Sequence, residues 1–564
     1  MFDEDSREKT SRRVGGVDSC RNFGAAVDGG GGAGGEQGEY HDPGRAEGAF
    51  AAAQETPKPK IEVEPAAVQP EPADATKIHV AHIRVTGQEL FGDAELQPLF
   101  KEAYGKELTL AELEHYARQV SQYFHSKGYL VARTILPPQS IEEGQVEMQV
   151  LVGRYGKIRV DNQSRFHTAS AEGLLQGLRP GAYIREKELE RALLLLSDTA
   201  GVQSAASLTA GEEPGTADLV VRLTDGPRSN GQLYTDNHGS RYTGKNRLGL
   251  NWNVLNVSGQ GDSAGAGVIL GEDRTDYNLS YQRPLGASGA KWGLSYARQT
   301  YSLGDAFANL NADGVSDTWS LFASYPMVRS RDCNLNGRFG YDHKKLEDRI
   351  GYVGTNNRKK ADVWNMGLSG DSRDSLGGGG YNSFSLSLAY GRLSLDSEDA
   401  VTNDAEAHTA GNYTKGNLNL YRVQNVNSRL ALHLSLAAQA ASKNLDSSEK
   451  MSLGGPSGVR AYPVNEACGD SGYVATGELR WNLPNPTLQL AAYVDQGHVN
   501  ANKSPWAGAG VNGRTLSGAG LGLIFSRPGD YALRLDYAWK LSSEEAVAAP
   551  DSKERIWIQA VKYF

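Results

Sequence analysis

From Asn230 to the C-terminus, apolar side chains alternate with small or polar ones, and this two-residue period constrains the fold more than any other feature. The clearest stretch has two interleaved sets, Tyr531, Leu533, Leu535, Tyr537 and Trp539 against Ala532, Arg534, Asp536, Ala538 and Lys540. In a β-strand, successive side chains point to opposite faces. The pattern therefore predicts a long series of strands, each with one apolar face and one mixed or polar face.

The connections between these strands alternate in length. Short turns are predicted at 258–261, 284–289, 329–332, 372–377, 426–428, 484–486 and 527–530. Longer polar connections lie mostly between them, at 304–314, 345–360, 396–410, 450–472, 498–512 and 542–552. Outer-membrane barrels have this order, with short turns at one end and long loops at the other. We predict a transmembrane antiparallel β-barrel of about sixteen strands over residues 228–564.

Composition excludes several other classes of protein. The longest apolar run, Ala192 to Leu196, is far shorter than the ~20 residues of a membrane helix, so a closed barrel is the remaining way to cross a bilayer. With 58 basic and 67 acidic residues and no basic cluster, nucleic acid is not an expected partner. The three cysteines lack zinc-ligand spacing, and no catalytic motif is present. We predict no metal, no cofactor and no enzymatic activity.

The residues before the barrel form two related units. In the first, residues 76–152, the order is strand, two helices and two strands, and one helix begins at Thr109 with Glu112 completing a capping box. The second unit, residues 153–227, repeats sequence elements of the first. Ile83-Arg84-Val85 is matched by Ile158-Arg159-Val160, and each unit has a glycine eight residues before a helix leucine: Gly105 before Leu113, and Gly181 before Leu189. Such internal repetition predicts two small α/β modules of one fold.

Residues 1–75 are predicted to be a disordered head followed by a Pro/Glu linker between Pro57 and Pro72. The head lacks the apolar segment of a signal peptide, although residues 49–54 resemble the cleavage end of one. We therefore expect that the first ~45 residues are a wrong or frame-shifted start, and that an apolar segment precedes Ala49 in the natural protein.

Two short motifs lie in the barrel region. Residues 454–463 read Gly-Gly-Pro-Ser-Gly-Val-Arg-Ala-Tyr-Pro in the connection between the eleventh and twelfth predicted strands, and residues 493–497 read Tyr-Val-Asp-Gln-Gly on the thirteenth. With the paired modules, these motifs resemble the two-partner secretion transporters of the outer membrane, of the haemolysin-activator (ShlB) type. In that family the modules are polypeptide-transport-associated (POTRA) domains. The resemblance covers nearly all of the chain after Thr76.

The resemblance implies a specific contact. In the family, the sixth outer loop folds into the lumen, and the arginine of its Val-Arg-Gly-Tyr motif meets the aspartate of an aromatic-x-Asp-x-Gly strand motif. The matching residues here are Val459, Arg460 and Tyr462 in the loop and Tyr493, Asp495 and Gly497 in the strand. An arginine carried into a confined lumen needs a carboxylate partner, because an unpaired buried charge is costly.

Two positions depart from the family pattern. Ala461 replaces the commoner glycine, which puts in doubt any backbone conformation with positive φ at that position. Phe564 matches the terminal aromatic residue of a barrel-insertion signal, but Lys562 stands where an aromatic or apolar residue is expected.

The resemblance also implies a function. The barrel is expected to be a translocation pore in the outer membrane, with the modules in the periplasm binding an unfolded exoprotein of the adhesin, haemolysin or contact-dependent toxin type. The pore exports this partner and activates it at the cell surface. Outer-membrane lipid and the barrel-assembly machinery are the other expected partners. The alternatives are a barrel insertase, which typically carries more modules, and a passive porin, which needs none.

Overall fold

The computed structural model describes residues 61–63, 77–547 and 551–564. These fall into two compact units, one within Pro57–Gly226 and one within Pro227–Phe564. Among the described residues, no helix combines the length and the apolar character needed to cross a membrane. The predicted head and most of the predicted linker lie outside the described residues. Ile61–Val63, within that linker, form a short strand, β1.

The first module forms its small sheets around one long helix. Its elements are β2 Lys77–Val80, β3 His82–Thr86, α1 Asp93–Leu96, a 3-10 helix Gln97–Phe100, β4 Lys106–Thr109, α2 Leu110–Ser126, β5 Ala132–Ile135 and β6 Gln145–Val152. The sheet order is β3-β6-β5, with β2 and β4 paired separately. Thr109 caps α2 and Glu112 completes the capping box, as predicted. The apolar face of α2, including Val120 and Phe124, is fully buried against the sheet.

The second module has the same core order of elements. They are β7 Arg154–Asn162, α3 Thr168–Leu174, α4 Glu186–Ser197, β8 Val202–Ala210 and β9 Thr216–Asp225. The sheet order is β1-β8-β9-β7, so the backbone of Ile61–Val63 adds a parallel strand to the edge of β8. Part of the predicted linker is therefore paired with this sheet. The apolar run at Leu193 and Leu196 is the buried face of α4.

Sixteen antiparallel strands close into a barrel, which confirms the predicted fold class. The first and last strands pair with each other, with Gln232 opposite Tyr563. Two short strands, β21 Met451–Ser452 and β22 Cys468–Gly469, lie in the connection after β20. The barrel strands are β10 Ser229–Asp236, β11 Arg247–Leu255, β12 Ser263–Leu270, β13 Arg274–Pro284, β14 Lys291–Ser302, β15 Ala312–Arg329, β16 Cys333–Ile350, β17 Thr355–Asp374, β18 Gly380–Leu395, β19 Gly411–Asn425, β20 Leu430–Ala441, β23 Ser471–Asn482, β24 Leu488–Asn500, β25 Gly513–Arg527, β26 Tyr531–Lys540 and β27 Glu554–Tyr563.

The two faces of the barrel wall differ as the alternation predicts. On β18, Leu386, Leu388 and Tyr390 are exposed on the outside, whereas Ala389 and Gly391 are buried on the inside. The outer face is thus apolar and suited to lipid. The lumen face carries small and polar side chains.

One predicted connection is wrong. Residues 345–360 were expected to form a long loop, but β16 and β17 continue through most of this range and are joined by the turn 351–354. The segment is polar on both sides, with Lys345 and Lys360 exposed outside and Lys344 and Lys359 turned inward. Strands that extend beyond the hydrocarbon need no apolar face, so they lose the alternation that marks a membrane strand.

The connection between β20 and β23, residues 442–470, folds into the barrel and is called loop 6 below. Its residues Leu453, Val459 and Tyr462 are fully buried and share an apolar cluster with Tyr493 and Leu516 of the wall. A 3-10 helix, Ser447–Glu449, lies near its start. The other helical segments of the barrel unit are the 3-10 helices Asp305–Leu310 and Leu376–Gly378 and the helix α5, Glu398–Asn403.

Candidate functional site: a charged lattice between loop 6 and the barrel wall

Arg460 of loop 6 contacts Asp495 of β24 directly. The guanidinium donates two hydrogen bonds to the carboxylate, from Nε to Oδ2 at 2.9 Å and from Nη2 to Oδ1 at 2.8 Å. The backbone N–H of Arg460 adds a third bond to Oδ2 at 3.1 Å. Both residues are almost fully buried. This is the bidentate geometry that makes arginine–carboxylate pairs strong and directional.

Arg460 also reaches two carboxylates that the sequence motifs do not mark. Its Nη1 donates to Oε2 of Glu478 on β23 at 2.8 Å, and it lies 3.6 Å from Oδ1 of Asp536 on β26. Arg534 bridges Glu478 and Asp536, at 2.9 and 2.7 Å. Arg480 donates to the other oxygen of Glu478 at 2.6 Å.

These six side chains form one network, called the lattice below: Arg460, Arg480, Arg534, Glu478, Asp495 and Asp536. Three positive and three negative charges balance each other. Each of these side chains is at most 11% exposed. Burying charge without a partner costs several kcal/mol per ion, so the lattice is stable only while its members stay paired.

Two aromatic residues complete the seat of Arg460. Its guanidinium carbon stands 3.2 Å from the ring centre of Tyr493, which precedes Asp495 by two positions on the lumen face of β24. A cation over an aromatic ring is attracted to the negative face of the ring. The indole N–H of Trp557 on β27 donates to the carbonyl oxygen of Arg460 at 2.7 Å. The wall therefore binds both the side chain and the backbone of this residue.

Val459 and Tyr462 fix the loop on either side of Arg460. Val459 is fully buried, and its N–H donates to the carbonyl of Leu453 at 2.7 Å, which closes the glycine-rich turn. The Tyr462 hydroxyl shares a hydrogen bond of 2.7 Å with the Ser542 hydroxyl and donates to the carbonyl of Glu544 at 2.9 Å. Ser542 and Glu544 belong to the connection after β26. The loop motif thus contacts both the wall and a second outer loop.

The backbone at Ala461, where the family pattern has glycine, is compatible with alanine. This residue does not adopt positive φ, so a side chain is tolerated there. Its methyl group instead lies close to Gly518 on β25, where an added Cβ would come within 2.5 Å of the Ala461 Cβ. Gly497 plays a similar part in the strand motif, because a Cβ there would lie 2.7 Å from Cδ2 of the buried Leu453. Both wall glycines provide space for loop 6.

Replacing Gly497 by alanine should therefore loosen loop 6. The added methyl group overlaps Leu453, and overpacking of a tight contact costs about 1–3 kcal/mol. When heated samples are run on gels, we expect the change from the migration of the folded barrel to that of the unfolded chain at a lower temperature than in the parent protein. Gly477→Ala is the matched control, because a Cβ at Gly477 meets only Cδ2 of Leu434, at 3.8 Å. Equal midpoint temperatures of this change in the two variants would contradict the role assigned to Gly497.

The C-terminal residue lies where the barrel closes. The backbone N–H of Phe564 donates to the carbonyl of Gly231 on β10 at 3.0 Å, and its ring lies 6.3 Å from that of Trp252. Lys562, the departure from the expected pattern, pairs with Asp530 in the turn before β26. The lysine thus has a partner at the periplasmic turn.

The motifs located Arg460 and Asp495, but they did not reveal Glu478, Asp536 or Arg534. The only signal for Arg534 and Asp536 was their place on the polar face of β26, which many wall residues share. In the part of the chain that the structure describes, no group of three or more His, Cys, Asp or Glu side chains is arranged to hold a metal ion. Through Arg460, the lattice joins loop 6 to β23, β24 and β26.

Comparison with known proteins agrees with this architecture. The family described as haemolysin secretion/activation protein ShlB/FhaC/HecB matches residues 215–525, and the ShlB-type POTRA domain matches residues 78–153. The heme/hemopexin transporter protein HuxB of Haemophilus influenzae strain 86-028NP is 29% identical over 486 residues, 85% of each chain. The outer membrane transporter CdiB of Dickeya dadantii is 24% identical over 459 residues, 76% of this chain and 78% of that protein.

A solved structure shows the same fold. CdiB from Escherichia coli superposes with a TM-score of 0.67 and 18% identity, covering 94% of this chain and 100% of that one. The family match alone spans more than half of the 564 residues. The chain therefore belongs to the ShlB/FhaC/HecB haemolysin secretion/activation family, and it is an outer-membrane transporter of the two-partner secretion type.

Proposed function

We propose that the barrel is the pore through which an unfolded exoprotein leaves the cell, and that loop 6 obstructs this pore at rest. The observation that carries the proposal is the almost complete burial of Arg460 among carboxylates of β23, β24 and β26. Barrels of sixteen to eighteen strands enclose an aqueous channel unless something fills it. A loop held across such a lumen reduces the open cross-section of the channel. The contacts of Arg460 with the wall, called the Arg460 lock below, keep the loop there.

We further propose a division of labour along the chain. Residues 1–75 are a head and linker, 76–152 and 153–227 are the two periplasmic POTRA domains, and 228–564 are the barrel. The ShlB-type POTRA match over 78–153 supports the first domain, and the same core order of elements supports the second. The modules receive the exoprotein, and the barrel conducts it.

The docking surface in the first module is proposed to be the edge of β5 next to α2. Among the described residues, β5 pairs only with β6. On its other side, the Thr134 N–H donates to the Ser121 hydroxyl at 2.9 Å, and a His125 ring nitrogen lies 2.9 Å from the carbonyl oxygen of Ala132. Side chains of α2 thus stand where the backbone of another strand would bind. An extended exoprotein segment can replace them by strand addition.

The chain itself illustrates this mode of binding. The β8 edge of the second module already carries Ile61–Val63 as a parallel strand. Backbone pairing of this kind makes little demand on side-chain identity. It suits a long and varied substrate, so the exoprotein partner is proposed to be a large secreted protein. Of the relatives, HuxB is named a heme/hemopexin transporter protein, and CdiB is named an outer membrane transporter.

Deleting residues 450–470 tests the proposed obstruction. The deletion removes Arg460 and the buried motif but leaves the sixteen strands intact. We expect larger and longer openings in planar lipid bilayers, because the lumen loses its filling. A conductance trace identical to that of the parent protein would show that loop 6 does not obstruct the pore.

The terminal strand suggests a further partner. Phe564 directly follows β27, whose outward residues Ile556 and Ile558 are exposed on the lipid face. We propose that this strand is the segment recognised by the barrel-assembly machinery when the protein enters the outer membrane. Phe564→Ala tests this, with a reduced amount of folded protein in the outer membrane as the expected result.

A further inference from the structure

The start of loop 6 is bound to the barrel wall at a second place, which precedes Arg460 in the same loop. Asp446 accepts a hydrogen bond from Nζ of Lys359 on β17 at 2.7 Å. The lysine side chain is 11% exposed and the aspartate side chain 6%. Asp446 also caps the 3-10 helix through the N–H of Ser448. The ion pair therefore fixes both the position and the local shape of this segment.

Glu449, three residues later, is shared by two more lysines. Its carboxylate lies 2.6 Å from Nζ of Lys344 on β16 and 2.6 Å from Nζ of Lys415 on β19. The glutamate side chain is only 4% exposed. Burial alone would raise the pKa of Glu449, but Lys344 and Lys415 outweigh it and hold that pKa well below its usual range. The two lysines therefore stabilise the charged form of this carboxylate.

Apolar and backbone contacts reinforce these ion pairs. Leu445 is 1% exposed and packs in a cluster with Val363, Leu393 and Tyr413 from β17, β18 and β19. The side-chain amide of Gln439, on β20, donates to the backbone carbonyls of Glu449 at 3.0 Å and Asp470 at 3.2 Å. The first part of loop 6 thus has its own seat on the wall.

This seat and the lattice lie on different strands. Lys344, Lys359 and Lys415 come from β16, β17 and β19, whereas the carboxylates around Arg460 come from β23, β24 and β26. No residue belongs to both sets. Breaking one set therefore leaves the other in place.

We propose that Asp446 and Glu449, held by Lys344, Lys359 and Lys415, form a root clamp that keeps loop 6 over the β16–β19 side of the lumen independently of the Arg460 lock. The inference rests on the proposed obstruction of the pore by loop 6. Complete opening then requires two separate releases, one at Arg460 and one at the clamp. The clamp residues are positioning residues, since they act through the loop.

Adjacent lysines provide a matched experiment. Lys344 and Lys359 point inward to the clamp, whereas their neighbours Lys345 and Lys360 are exposed on the outside. The double variant Lys344→Met/Lys359→Met leaves Asp446 and Glu449 short of partners. We expect at least a tenfold rise in the fraction of time that the full-length protein spends open in planar bilayers. The outward double variant Lys345→Met/Lys360→Met should match the parent.

An exchange of charges separates loss of the clamp from misfolding. Lys359→Asp and Asp446→Lys should each raise the open fraction, and combining them should return it toward the parent level, because the pair is restored with opposite polarity. Equal open fractions for the inward and outward double variants would overturn the clamp. So would a combined variant that adds the two single effects.

The 450–470 deletion keeps Asp446 and Glu449 and so distinguishes the two proposals. If the deletion opens the channel while the inward lysine variant has the open fraction of the parent, loop 6 obstructs the pore without a root clamp. If neither variant changes the open fraction, the proposed obstruction of the pore is wrong.

Discussion

Arg460→Ala is expected to impair export of the exoprotein strongly, because loop 6 loses its fixed position in the lumen, while the transporter still reaches the outer membrane. The substitution leaves Glu478, Asp495 and Asp536 with only Arg480 and Arg534 between them. Removing one partner from a buried ion pair costs about 3–5 kcal/mol, which is enough to release the loop. The barrel strands do not depend on this contact. The measurement compares exoprotein in the medium with transporter in isolated outer membranes.

The lattice predicts an asymmetry between the partners. Asp495→Ala removes one carboxylate, but Arg460 keeps Glu478 at 2.8 Å, so the defect should be smaller than that of Arg460→Ala. The double variant should be clearly less impaired than the sum of the two defects, as expected for residues in contact. Arg358→Ala, at an exposed position on β17, is the control and should export normally. Normal export by Arg460→Ala would refute the lock.

Deletion of residues 76–152 should abolish export and leave the barrel assembled. The deletion removes the β5 edge and α2, the surface at which an extended segment is proposed to bind. The sixteen strands and their closure between β10 and β27 lie outside it. Export is measured in the medium, and assembly is measured by the heat-dependent gel migration of the barrel. Unchanged export would show that the first module does not receive the substrate.

A point variant refines this second prediction. Thr134→Pro removes the backbone N–H that donates a hydrogen bond to the Ser121 hydroxyl and that an added strand would use. It should reduce export with the whole module present. Ser140→Pro, at an exposed position outside the strands, is the control. Equal export by both variants would place the docking surface elsewhere.

The local rules that are visible in the chain account for most of the fold. Alternation identified the barrel strands because each must show lipid a continuous apolar face. The Thr109 cap and the repeated glycine-leucine spacing marked the helices of the modules, since capping depends on neighbouring residues only. The wrong expectation at 345–360 has the same origin. Once β16 and β17 leave the hydrocarbon, neither side of the strands faces lipid, and the alternation disappears.

Patterns along the chain were therefore enough to predict the barrel, its sixteen strands and the repeated module, and a family resemblance was enough to pair Arg460 with Asp495. The folded structure was needed to show that Glu478 and Asp536 join that pair, and that Asp446 and Glu449 meet three lysines of a different set of strands. Glu449 lies 105 positions from Lys344 in the chain. Such contacts depend on how the barrel closes and on where loop 6 folds within it, and no local pattern of residues shows which distant side chains then meet.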